Sequence, residues 1–367
     1  MTAEKNCKEN MKLKWLNKDA DFERLILAGD IGGTNTNLAL VGVKNGKFTI
    51  VVEAVFPSRE ITGLTEPIKE LLHTAKEERL DLVTRCGCVC AAGPVSQNCC
   101  KLTNLDWDID GNELSRELGM EIRVINDFLG ISYGIPTLDV NNPEQIFAFK
   151  HTNGSIPEPS LTTKAVIGPG TGLGAGFLTW NGTDYVPNSS EGGHLTFAPF
   201  DEESQSFRNY MEKRLNAVPD VEVLVSGSGI QNLYEWWRDT KGVPENEAWA
   251  EIENAKPTDR PRLISKLSNS NLVAASMLRL FVKMLARYAS DISTLLLPFG
   301  GLYLAGGVAQ KEIHWLTGDD LFMKYYEMAY NKNIKPLLLQ VPVYLIKDYS
   351  ISLYGAANAC LKILEFR

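Results

Sequence analysis

Two segments of this chain share one unusual design, and together they restrict its fold more than any other feature. Residues 27–43, LAGDIGGTNTNLALVGV, run from an apolar stretch through Asp30 into Gly32, Gly33, Thr34 and Asn35, and then into a second apolar stretch. Residues 165–186, AVIGPGTGLGAGFLTWNGTDYV, repeat the order: apolar run, Gly170-Thr171-Gly172, apolar run, Asn181-Gly182. Glycines after a strand let backbone N–H groups come close to a ligand, very often a phosphate. P-loops and dinucleotide loops lead from a strand into a helix. Both segments here lead from strand into strand. Gly170-x-Gly172-x-x-Ala175 fits the loose dinucleotide pattern, but the strand and turn after it rule that reading out. Neither segment has the Gly-Lys-Ser/Thr of a P-loop. The pattern reads as an internal duplication of one phosphate-binding hairpin.

The surrounding pattern is α/β. Strand-like runs lie at 25–30, 38–43 and 48–56, with Asn45-Gly46 as a hairpin turn between the last two. A helical pattern covers 64–79 and a strand 86–91. Asp110 stands three residues before Glu113, an Asp variant of the capping box, and predicts a helix that ends at Gly119. A short strand at 121–125 delivers Asn126-Asp127. Strands mixed with helices in this way belong to the α/β class. The chain turns polar over 137–163, and a domain change is expected near the start of that stretch. Residues 240–270 read as surface helix and loop. The apolar segment 271–297 is broken by Arg279, Lys283, Arg287 and Asp291, so it predicts a core helix and not a membrane span. Gly306-Gly307, the strand VPVYLI and a closing helix ISLYGAANACLKILEF follow.

With 367 residues the chain can form two domains with cores that need no staples. Its net charge is -8 and no long basic run stands out, so neither nucleic acid nor a membrane is an expected partner. An acidic chain that handles phosphate must use backbone N–H groups, helix N-termini and a metal ion. Of the seven cysteines, Cys86, Cys88 and Cys90 alternate along one strand face. The C-x-x-C spacing of zinc sites is absent, and small buried residues in a reducing compartment are the simpler reading. No stretch resembles a signal peptide, so the cytoplasm is the expected location. Residues 1–24, polar and mixed in charge, read as a loosely held N-terminal extension.

DIGGTNTNLAL, VINDF, GPGTGLG, SSEGGH, VLVSGSG and LAGGV, in this order, resemble the bacterial-type glucokinases of the hexokinase group. That group lies in the actin and sugar-kinase superfamily, and the resemblance covers residues 25 to 367. It implies an α/β, two-domain actin-like ATPase fold (ribonuclease H-like, duplicated βββαβα) with an interdomain cleft that closes on the sugar. A small domain of 25–135 plus 350–367 and a large domain of 136–349 follow from it. It implies ATP-dependent phosphorylation of glucose at the 6-hydroxyl, with ATP and Mg²⁺ as cofactors and glucose as the small-molecule substrate. Homodimers are frequent in the family.

The resemblance also implies residue roles, each beside a plainer local reading. Asp30 would hold Mg²⁺ through water while Gly32, Gly33, Thr34 and Asn35 approach the γ-phosphate; alternatively, Asp30 only initiates a turn. Asp127 would be the base that takes the proton of the 6-hydroxyl, or else the N-cap of the helix that follows. Asn126, Glu191, His194 and Glu222 would bind sugar hydroxyls, which are both donors and acceptors. Glu191 and His194, three apart, could also be metal ligands, but the cysteine cluster of the zinc-containing relatives is missing after His194. Asn104 and Trp107 match the sugar-pocket loop, with Trp107 equally suited to a core. Gly170, Thr171, Gly172 and Gly174 match the second phosphate loop. Ser226, Gly227, Gly229, Gly306 and Gly307 match the adenosine side, or else serve close packing. A kinase for another hexose, a polyphosphate-dependent kinase and a non-catalytic sugar sensor on the same scaffold are the rival readings.

Overall fold

The computed structural model describes residues 11–79, 81–102, 105–329 and 331–365. The chain divides into two compact units, residues 1–139 with 348–367, and residues 140–347.

The first unit is built on strands β1 (Lys12–Trp15), β2 (Arg24–Ile31), β3 (Asn35–Lys44), β4 (Lys47–Pro57) and β5 (Cys86–Ala91). A small antiparallel ribbon of β6 (Val95–Ser96), β7 (Cys99–Cys100) and β8 (Ile109–Asp110) follows, and then β9 (Glu121–Asn126). The main sheet has the order β1-β4-β3-β2-β5-β9. β2 pairs antiparallel with β3 and parallel with β5, and β5 pairs parallel with β9. Alternation along β2 sends Leu25, Leu27 and Ile31 to one apolar layer and Ile26 and Ala28 to the other, all buried. Helix Thr65–Glu78 packs into the first layer through Ile68, Leu71 and Ala75. The closing helix, Ile351–Glu365, covers the second layer with Leu353, Ala356, Ala357 and Cys360.

Residues 12–23 depart from the expected loose extension. β1 pairs antiparallel with β4, Leu13 and Trp15 turn to the apolar layer, and Phe22 lies against Gly42. The period-two alternation of Lys12-Leu13-Lys14-Trp15 is a half-buried edge strand, too short to stand out in a polar context. Helix Gly111–Leu118 starts on Asp110, whose carboxylate accepts from Asn112 and Glu113 N–H, and ends on Gly119 in the left-handed region. The reciprocal half of the expected capping box is not formed there; a complete one starts helix Glu202–Leu215, between Asp201 and Ser204.

The second unit repeats the plan with β10 (Ile146–Ala148), β11 (Lys164–Pro169), β12 (Leu173–Trp180), β13 (Tyr185–Ser190), β14 (Leu302–Leu304) and β15 (Val343–Ile346). Their order is β10-β15-β14-β11-β12-β13. β11 pairs antiparallel with β12 and parallel with β14, as β2 does with β3 and β5. The extra strands β1 and β10 sit at opposite ends of their sheets' shared order. Helix Leu272–Leu296 is the buried spine of this unit. Its charges fall four residues apart on one stripe: Arg279 meets Asp319, Lys283 lies over the Tyr325 ring, and Arg287 donates to the Tyr325 carbonyl. Among the described residues, no helix is long and apolar enough to cross a membrane.

Candidate active site

In the first unit, strand register determines what meets at the glycine turn. Ile31 pairs with Ala91, and Ala91 with Asn126, so Asp30 and Asp127 both emerge at the C-terminal ends of parallel strands. Open α/β sheets bind ligands at that end. The turn itself is closed by Gly32 N–H donating to the Asn35 carbonyl (3.0 Å). Among the described residues, no acceptor in the chain takes the N–H of Gly33 or Thr34.

Ser58, just after β4, braces this turn. Its N–H donates to the Thr34 carbonyl (2.9 Å) and its Oγ to the Gly32 carbonyl (2.7 Å). With that proton spent, the Thr36 hydroxyl is the donor across the 3.0 Å contact to Ser58 Oγ. Ser58 and Thr36 have no exposed surface. Trp107 Nε1 donates to the Ser58 carbonyl (3.1 Å) from the edge of the apolar layer, which favours its structural role. Asn104 lies outside the described residues.

Asp30 is tied to the closing helix, because Ser352 Oγ donates to its Oδ2 (2.7 Å). Burial raises the Asp30 pKa, against the hydrogen bonds from Ser352 and Asn37. Asp127 is not the helix cap that local sequence allowed. Asn126 takes that place, its Oδ1 accepting from the N–H groups of Phe128 (2.9 Å) and Leu129 (3.3 Å). Its Nδ2 donates to the Gly93 carbonyl (3.3 Å), so Asn126 carries a structural task beside the sugar contact expected of it. Asp127 becomes the first helical residue, with Oδ1 near Phe128 N–H (2.9 Å). Its pKa is raised, mainly by burial, with the charge of Asp30 adding to the effect and the Phe128 N–H opposing it.

Helix Asp127–Gly134 is held by close crossing of the closing helix. A Cβ at Gly355 would lie 1.8 Å from the Gly130 carbonyl oxygen, so only glycine fits there. One helix thereby anchors both carboxylates.

In the second unit, Gly170 N–H donates to the Gly172 carbonyl (2.8 Å), closing the turn after β11. The amides of Thr171 and Gly172 have no acceptor among the described residues. Gly227 N–H donates to the Gly170 carbonyl (2.7 Å), and Ser228 Oγ to the Thr171 carbonyl (3.1 Å). Thus the start of helix Gly227–Lys241 grips the turn. Glu222 Oε2 accepts from Leu173 N–H (2.7 Å), and a Cβ on Gly172 would intrude to 2.4 Å of that oxygen.

A cavity of about 620 Å³ opens beside this turn. Gly170, Thr171, Gly227 and Gly307 line it, together with polar groups that include Gln231, Asn232, Arg262 and Lys311. Its size and mixed lining suit a nucleoside. The other matched residues have packing tasks. Gly174 is a strand residue paired with Gly168, and Ser226 caps the helix through Gly229 N–H. A Cβ on Gly229 would meet Leu224 backbone at 2.5 Å, and Gly306 has φ +82 against Pro169.

The Glu191-Gly192-Gly193-His194 turn lies directly on Leu173, with a Gly193 Cβ position 2.0 Å from the Leu173 carbonyl oxygen. His194 Nδ1 is 2.8 Å from Asp220 Oδ2. The Asp220 hydrogen bond is the main cause of a raised His194 pKa, with the charges of Glu222, Asp220 and Glu191 adding to it and burial opposing. Among the described residues no group of three or more His, Cys, Asp or Glu side chains is placed to hold a metal ion.

A glucokinase family profile matches residues 27–363. The chain belongs to the glucokinase family. It is 34% identical to the glucokinase of Nostoc sp. over 92% of this chain and 99% of that one. A crystal structure of glucokinase from an Antarctic psychrotroph superposes with TM-score 0.76 at 28% identity, covering 92% of this chain and 99% of that chain. A ROK family glucokinase from Streptomyces griseus, solved with glucose and AMPPNP, has TM-score 0.59 at 18% identity over 92% and 99%. The fold is the actin-like ATPase fold expected from the motifs.

Set against the glucokinase motifs, three residues escaped the sequence reading: Ser58, Asp220 and Ser352. Each acts through a partner distant in sequence. Only Asp220 left a local trace, as the N-cap of the short helix Val221–Leu224.

Proposed function

We propose that this chain is an ATP-dependent glucose kinase that transfers the γ-phosphoryl group to the sugar 6-hydroxyl. The observation that carries the reading is the pair of glycine turns with uncommitted amides, together with a half-buried Asp127 relieved of capping by Asn126. Phosphoryl transfer asks little covalent chemistry of a protein; positioning and charge stabilisation supply most of the rate. The amides of Gly33 and Thr34, and those of Thr171 and Gly172, would donate to phosphate oxygens. The cavity between Gly227 and Gly307 would take the adenosine. Asp127 would accept the 6-hydroxyl proton, its raised affinity for protons suiting that task. Asn126, Glu191, His194 and Glu222 would hold the remaining hydroxyls.

Two nearby carboxylates that burial already disfavours as anions make a fitting place for a cation. Asp30 would hold Mg²⁺ through water, and the bound ion would supply charge neutralisation at the phosphate oxygens. A homodimer and a cytoplasmic location belong to the same proposal, the first from the family resemblance. The second is supported by six described cysteines that are all free thiols.

A coupled assay for ADP release with glucose, ATP and Mg²⁺ tests the reading. Turnover with glucose is expected; turnover only with another hexose, or only with polyphosphate, would replace it.

A further inference from the structure

Asp220 is held in place before it meets His194. Its backbone bridges Thr196, and the next N–H, of Val221, donates to the Leu195 carbonyl (2.8 Å). Its Oδ1 accepts from Val223 N–H (3.0 Å), capping the short helix that carries Glu222. Its Oδ2 remains for His194 Nδ1 at 2.8 Å. A carboxylate is the one short side chain that accepts on both oxygens at once; an amide would turn a donor toward one of these two N–H groups.

We propose that Asp220 is a positioning residue for sugar binding, which locks the His194 ring with Nδ1–H toward Asp220 and leaves Nε2 to meet a sugar hydroxyl. The inference rests on His194 being a sugar contact, as argued above. The His194 side chain is 54% exposed, and its Nε2 has no partner among the described residues. The charged groups around the ring are Asp220 and Glu222 from the capped helix and Glu191 from its own turn, and all three favour the imidazolium. The protonated form therefore persists to higher pH than in a free histidine, and Nε2–H is then a charge-assisted donor. Loss of the proton leaves Nε2 an acceptor, still able to bind a hydroxyl but more weakly.

The chain has only four histidines, so each ring can be followed by NMR, and His194→Gln identifies the signal in question. Asp220→Ser keeps a capping acceptor for Val223 N–H and removes the charge. The His194 midpoint is expected to fall by about one pH unit in this variant. In the unaltered chain, glucose KM should rise about fivefold as pH passes the His194 midpoint, and in Asp220→Ser the same rise should come at lower pH. At acid pH, where both rings are charged, the gap should narrow to what the lost ring orientation alone costs; a packing defect would hold it constant at every pH. An unmoved midpoint, or a KM profile that ignores a moved one, overturns the proposal. If instead His194→Gln keeps the original glucose KM, the sugar-contact reading itself fails, whatever Asp220 does to the ring.

Discussion

The two glycine turns occupy the same place in sheets of the same strand order, yet they are braced by different chemistry. The turn after β2 is held by neutral groups, with Ser58 and Thr36 contributing fully buried hydroxyls from adjoining strand segments. The turn after β11 is held by a carboxylate, Glu222, and by the start of a helix, both about fifty residues downstream. In each case the first glycine amide closes the turn and the next two amides are left over. Duplication therefore preserved the exposed donors, which follow from backbone geometry, and allowed the support behind them to diverge. A buried hydroxyl network is insensitive to charge, whereas a carboxylate brace can also bind a hydroxylated ligand with its second oxygen.

The largest expected effect tests what the turns have in common. Asp127→Ala should lower kcat by about 10²- to 10⁴-fold, the span of general acid–base contributions, while the variant stays folded. Near-normal turnover would mean that the two turns serve some other chemistry. Burial raises the Asp127 pKa and the base must be ionised to act. The acid limb of kcat is therefore expected above the ordinary aspartate range, with activity lost as pH falls through it. A pH–rate profile at saturating substrates reads this directly.

Next in size is the carboxylate brace. Glu222→Ala removes the acceptor of Leu173 N–H and the proposed sugar contact together, and should lower kcat/KM for both ATP and glucose about tenfold or more. Glu222→Gln retains an oxygen for that N–H, so the ATP parameters should stay within about twofold while glucose suffers. Equal damage to both substrates in the glutamine variant would remove the distinction between brace and contact.

The smallest effect belongs to the neutral brace. Ser58→Ala leaves the Gly32 carbonyl and the Thr36 hydroxyl without their partner, and should destabilise the fold by about 1–3 kcal/mol. ATP KM should rise a few-fold with glucose KM unchanged, by urea unfolding and steady-state kinetics respectively. A Ser58→Ala variant that loses glucose affinity before ATP affinity would show that the neutral brace serves the sugar side through Trp107.

Much of this was legible in the chain, and the boundary has a physical cause. The hairpins, the Asp110 cap and the Gly119 stop arise from contacts within a few residues, and the charged stripe on the spine helix from its four-residue spacing. Such contacts depend on residue order alone. The choice between Asn126 and Asp127 as cap was not legible, since both side chains suit the position and local sequence treats them nearly alike. Where β9 ends its pairing beside β5 made Asn126 the last strand residue, and that freed Asp127.

Residue order by itself thus determined the periodicity, the turn chemistry and the presence of two matched glycine hairpins, because strand alternation and glycine turns act over short spans. Only the tertiary structure decided which polar groups meet: Ser352 with Asp30, Ser58 with Gly32, Glu222 with Leu173 and Asp220 with His194. Those pairings join distant stretches of chain. Their strength comes from burial and from hydrogen-bond geometry, and neither exists until the sheets have packed.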